Sequence, residues 1–248
     1  MKEEPRVGWI AVLLYISMQI SVMIVYSVLI LSMIHFQGEI IMHDPSVHRP
    51  LAGRAGRMNI RDLATIGIFT VLMTIIAVVI AIASSFVLYF SLFVSSPIIA
   101  FILAPFYMYM VLKVHKRGTA FLYGLIFAFI YVISGTPYLA VWFLLAAATG
   151  ELSMAGAGAY TNPFRVAVSW IVFTLFRATN GMIDIWFFTK QYLASGVSRA
   201  HFFQVTRFYN SVPWVMLILA LAAAGAAAGC LVSAGMIKRH FQKSGLLP

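Results

Sequence analysis

Apolar residues dominate the chain in runs of about 20, broken by short polar turns. The run at 62 to 84 is the clearest. Spans of this length, enough to cross some 30 Å of hydrocarbon, are predicted near 62 to 84, 86 to 112, 119 to 134, 137 to 154, 166 to 188 and 211 to 237. An earlier apolar run, residues 7 to 34, exceeds the roughly 7 to 15 residues of a signal-peptide core and has no convincing small-residue cleavage site, so it reads as a retained accessory helix. A polar linker rich in Gly, Pro, His and Arg, residues 35 to 61, separates it from the core. The expected fold is all-α and polytopic, six core helices (62 to 248) plus one at the N-terminus. Pro97, Pro105 and Pro137 are expected to kink helices.

Two helical faces stand out from this background. In the first core span, Gly67, Thr70, Thr74, Ala77 and Ala81 fall within an arc of roughly 80°, a stripe of small residues that lets a second helix approach closely. The spacing suits either packing inside the chain's own bundle or docking of a different subunit. In the fifth span, Trp170, Phe173, Arg177, Asn180 and Asp184 share a face of similar width, with Arg177 near mid-depth. Ionisable groups inside a span are costly and face a cavity or a partner, so this face is the candidate binding site. The alternative is an internal Arg177 to Asp184 ion pair clamping helices together.

Composition fixes the class. Hydrophobic residues make up 62% of the 248 and charged residues 10%, far below the roughly 25% charged of soluble domains, so the chain is an integral membrane protein. Its net charge of +10 reads as positive-inside topology rather than nucleic-acid binding. Arg49, Arg54, Arg57 and Arg61 precede the first core span, Lys113, Lys116 and Arg117 follow the second, and Lys238, Arg239 and Lys243 follow the sixth. These clusters assign the linker and the C-terminus to the cytoplasm of a multi-pass cell-membrane protein. Lys190, Arg199 and Arg207, in the segment from 188 to 210 that helix counting places outside, dissent. A single cysteine, Cys230, excludes an intrachain disulfide.

The segment from 188 to 210 is crowded with Phe, Tyr and Arg. Tyr192, Arg199, His201, Arg207 and Tyr209 suit a lid closing over an aromatic or carboxylate-bearing ligand, or an interfacial helix resting at headgroup level. Tyr138 and Trp142 read as interface anchors, while Glu151, at the opposite end of its span, suits contact with another subunit or, the reading favoured, simply reaching the interface. His35, His43, His48 and Asp44 in the linker match no metal-ligand spacing, and no metal is expected. The sequence carries no phosphate-binding loop of the G-x-x-x-x-G-K-[ST] type and no assembled hydrolase motif, so no catalytic residue is expected. The small-residue run AAAGAAAG, with Gly225 and Gly229, is assigned to packing within the bundle.

The block MNIRDLATIGIFT, the turn KVHKRGTAFLYGLIFAFIYVISG and the ending MIKRHFQKSGLL resemble the Trep_Strep (MptS) family of substrate-binding S components from energy-coupling factor (ECF) transporters, over about residues 58 to 247. The resemblance implies a receptor that captures a micronutrient outside and delivers it inward by reorienting in the bilayer. It implies as partners a transmembrane coupling subunit and two ATPases, which alone use ATP, so the chain itself needs no cofactor. It also favours a coupling-subunit role for the stripe from Gly67 to Ala81. Aromatic residues, Met108, Met110, Met154 and Met182, and the basic segment suit a flat amphipathic ligand with carboxylates, a tetrapyrrole such as haem or else a vitamin. A polytopic enzyme acting on lipids through Arg177 and Asp184, or a structural subunit of a complex, is the alternative.

Overall fold

The computed structural model describes residues 58–156, 158–194 and 196–237. The predicted accessory helix at 7 to 34, nearly all of the linker with its histidines and the basic C-terminal cluster lie outside these. Among the described residues every regular element is helical: α1 (Ile60–Ser84), α2 (Leu88–Phe93), α3 (Ser95–Val114), α4 (Thr119–Ile133), α5 (Pro137–Leu152), a 3-10 turn (Ala159–Thr161), α6 (Pro163–Ala178), α7 (Asn180–Phe187), α8 (Thr189–Ala194), α9 (Arg199–Tyr209) and α10 (Val212–Met236).

Among the described residues four segments are long and apolar enough to cross a membrane: α1, α3, the near-continuous α6 and α7 (Pro163–Phe187), and α10. The other two predicted spans form shorter apolar helices. At 15 and 16 residues, α4 and α5 reach roughly 22 to 24 Å at 1.5 Å per residue. The predicted span from 86 to 112 is not one helix, because Val94 takes φ −110° and ends α2 before Ser95 opens α3. Two of the three prolines are likewise starts rather than kinks. Pro97 sits in the first turn of α3 and Pro137 opens α5, positions where the missing N–H costs nothing; only Pro105 lies inside a helix.

Local chemistry sets the ends. Asn59 caps α1 by accepting from the Ile60 amide at 2.8 Å, while Asp62 Oδ2 accepts from the Asn59 amide at 2.8 Å, a reciprocal capping box. The same Asp62 oxygen takes Lys116 Nζ at 2.6 Å, which ties the start of α1 to the turn after α3. Glu151, at the end of α5, accepts from the Gly118 amide (2.6 Å) and the Phe121 amide (3.1 Å) at the start of α4, and from the Tyr160 hydroxyl. A carboxylate from one helix therefore satisfies the orphan amides of another, where the helix dipole also favours negative charge. Burial and the adjacent Glu151 push the Tyr160 phenol up, so it remains a donor. These contacts define one end of the bundle, the near end.

Close packing fills the interior. Gly225 and Gly229 of α10 lie against α3; a Cβ on Gly229 would come within 2.6 Å of the Phe101 carbonyl and 2.8 Å of Ala104 Cβ. That is the small-residue packing the sequence suggests. Gly124 of α4 meets Ala147 of α5 in the same way. The stripe on α1 requires a correction. Gly67, Thr70, Thr74 and Ala77 are buried within the chain, with Ala81 half-buried, and α1 packs on α3 and α4. Thr70 and Thr74 return their hydroxyls to the Ile66 and Thr70 carbonyls, leaving a smooth face already covered by the chain, not an open surface for a coupling subunit.

Candidate functional site

The aromatic core between α3, α4, α5 and α6 prepares the site. Tyr107 and Trp170 lie with centroids 4.8 Å apart, Tyr123 and Phe173 at 4.8 Å, and Tyr131 and Phe143 stack at 4.5 Å. Trp170 donates its indole N–H to the Ala100 carbonyl at 3.0 Å, and Ser169 donates to the Gly150 carbonyl at 2.9 Å. Because the Ser169 proton is spent there, the Tyr107 hydroxyl is the donor in its 2.8 Å bond to Ser169. Trp170 and Phe173, predicted to touch ligand, are thus closed into this core, 1% and 2% exposed.

The upper part of the same face behaves differently. Arg177 makes no hydrogen bond or ion pair among the described residues, and it does not reach Asp184. Its electrostatic neighbours are the phenols of Tyr123 and Tyr131 on α4. A helical side chain leans toward the N-terminus of its helix, which directs the guanidinium back toward the level of Thr174 and Phe173. Thr174 Oγ1, one turn earlier, is buried without a hydrogen-bond partner, and so is Asp184 Oδ1. A buried polar atom left unpaired costs about 1–3 kcal/mol. Three polar side chains on one face of a membrane span thus retain unmet hydrogen-bonding capacity.

The walls come from residues the sequence reading set aside. Asn180 donates through Nδ2 to the Tyr131 hydroxyl at 2.7 Å. Trp142 of α5 donates to the Phe176 carbonyl at 3.0 Å and to Thr179 Oγ1 at 3.1 Å, at the junction of α6 and α7. Tyr138 stacks on Phe188 at 4.1 Å, with its phenol beside the Asp184 carboxylate. Read as interface anchors, Tyr138 and Trp142 instead hold the broken helix that carries Arg177, Asn180 and Asp184.

The predicted lid divides. Tyr192 joins a second cluster in which Leu92, Ile185 and Val205 are packed by Phe202, Phe208 and Tyr209. Tyr209 closes on Gly181, where a Cβ would meet its hydroxyl at 3.1 Å, and Trp186 donates to the Tyr209 carbonyl at 3.2 Å. Arg199 and Arg207, however, lie on the exposed outer face of α9 and His201 is exposed in its first turn, whereas Val205 and Tyr209 belong to its packed side. Among the described residues no group of three or more His, Cys, Asp or Glu side chains is placed to hold a metal ion.

The family described as "Hypothetical bacterial integral membrane protein (Trep_Strep)" is matched over residues 60–243. No curated protein and no solved structure matches the chain.

Proposed function

The chain belongs to the Trep_Strep family of hypothetical bacterial integral membrane proteins, and from that premise we propose that it is the substrate-binding S component of an ECF-type importer. In this reading α4 and α5 cross as short helices, completing a six-helix core. The near end, with Asp62, Lys116 and Glu151, faces the cytoplasm, and the end bearing Asp184 opens outward. The substrate is a micronutrient carrying at least one carboxylate, a tetrapyrrole such as haem or a vitamin. The chain performs no covalent chemistry. A transmembrane coupling subunit and two ATPases supply the work of reorientation.

The observation that carries this reading is Arg177. A guanidinium within a membrane span is expensive unless it meets a partner, and this one has neither a carboxylate nor a hydrogen-bonded neighbour among the described residues. A carboxylate ligand supplies the missing acceptors, with up to two parallel N–H to O bonds. The half-buried Tyr131 beside it offers an aromatic face, backed by the buried Phe143 on which it stacks. Asn180 and Asp184, farther out, add polar contacts at the mouth.

Affinity purification of the tagged chain from its own bacterial membranes tests the assembly. The expected result is recovery of one membrane subunit and two ATPases with the chain. Recovery of the folded chain with no ATPase, under detergents that preserve other membrane complexes, would remove the transport reading.

A further inference from the structure

The helix α9 presents an outer face for which the site has no use. Arg199, Phe203 and Arg207 follow one another at intervals of four, inside an arc of roughly 80°, and all three are exposed, Phe203 by 69%. Neither arginine has an ion-pair partner among the described residues. No acidic residue follows Asp184 in the sequence. Lys190 of α8, also exposed, adds a third cation. The inner side of α9 is meanwhile fixed by Val205, Phe202 and Phe208 against Leu92 and Ile185, so the outward direction of the arginines is set by packing.

The position of this face limits what can cover it. α9 lies between Phe187, the last residue of one candidate span, and Val212, the first of the next, which places it at a membrane boundary. Phe187 and Val212, which bracket the segment that carries it, are 71% and 74% exposed. Large apolar side chains interleaved with unpaired cations match a surface that is apolar below and anionic above. A bilayer boundary rich in acidic lipid has that layering. A soluble protein partner would leave the apolar residues half-solvated.

We propose that α9 is a docking surface for anionic phospholipid headgroups. Arg199 and Arg207 take the lipid phosphodiesters as paired donors, and Phe203 between them enters the acyl boundary. The contact fixes α9 at the bilayer surface and, through Trp186 and Tyr209, steadies the end of α7.

The test is native mass spectrometry of the full-length chain released from nanodiscs of equal parts phosphatidylcholine and phosphatidylglycerol, reading the ratio of the two lipids retained. The intact chain is expected to favour phosphatidylglycerol roughly thirtyfold, the equivalent of about 1 kcal/mol for each of the two arginines. Each single variant, Arg199→Gln or Arg207→Gln, lowers the ratio about fivefold. The double Gln variant approaches parity, while Arg199→Lys with Arg207→Lys keeps most of the preference. Lys113→Gln with Arg117→Gln, at the near end, leaves it intact. Undiminished preference in the Gln variants, or equal loss in the near-end variant, would overturn the proposal, the latter by reducing it to bulk charge.

Discussion

Trp142 donates its indole N–H to the carbonyl of Phe176, one residue before Arg177, at the point where α6 gives way to α7. The bond links α5 to the break in the span that carries the candidate site. Its second branch to Thr179 Oγ1 spans the junction. Arg177 is therefore held between two residues that share one donor.

Trp142→Phe keeps the ring contact with Phe176 at 4.8 Å but removes the donor. We expect a loss of about 1 kcal/mol in stability, read as a lowered thermal midpoint in detergent. Thr179→Val, which removes only one of the two acceptors, should cost less. Equal midpoints for Trp142→Phe and the unaltered chain would mean that the bond does not hold the junction.

Glu151 gives a second expectation. Glu151→Ala leaves the Gly118 and Phe121 amides and the Tyr160 hydroxyl without their acceptor, and should lower stability by about 2 kcal/mol. Glu151→Gln keeps one acceptor oxygen but loses the charge at the helix start, and should fall between. Thermal unfolding of the three proteins side by side orders them. Glu151→Ala matching the unaltered chain would return Glu151 to the role of a mere interface residue.

Packing between α10 and α3 predicts a contrast between two glycines of one helix. Gly229→Ala forces a Cβ into the Phe101 backbone and Ala104 and should cost about 1–3 kcal/mol. Gly235, with nothing within 4 Å, should accept Ala with a gain of about 0.5–1 kcal/mol from helix propensity. Chemical denaturation in mixed micelles measures both. Equal effects at the two positions would deny the close approach.

Periodicity made much of this legible. Apolar length located α1, α4, α5 and α10 to within a few residues, because hydrocarbon thickness and turn residues both act over that range. The polar face of Arg177, Asn180 and Asp184 was readable because three charged or amide residues at helical spacing stand out in an apolar run. The break at Val94 was not, since LYFSLFV is apolar on both sides of it and the only signal is Ser95, Ser96 and Pro97 opening a new helix. The small stripe on α1 showed that something packs there, but spacing does not say what. Tyr131, Tyr138 and Trp142 escaped because aromatic residues near span ends usually anchor at the interface. Their contacts to α6 and α7 lie 34 to 49 residues away in sequence.

The unpaired state of Arg177 is the centre of the account. The direct measurement is native mass spectrometry of the full-length chain purified from bacterial membranes in mild detergent, with identification of the small molecule it carries, on the unaltered protein and on Arg177→Met. The account predicts an acidic small molecule on the unaltered chain and at least a tenfold lower occupancy in Arg177→Met, as expected when a charge-assisted pair worth about 1.5–3 kcal/mol is lost, with an unchanged or higher thermal midpoint because a costly buried cation has been removed. Equal occupancy in both proteins, or a neutral ligand lacking any acidic group, would contradict it.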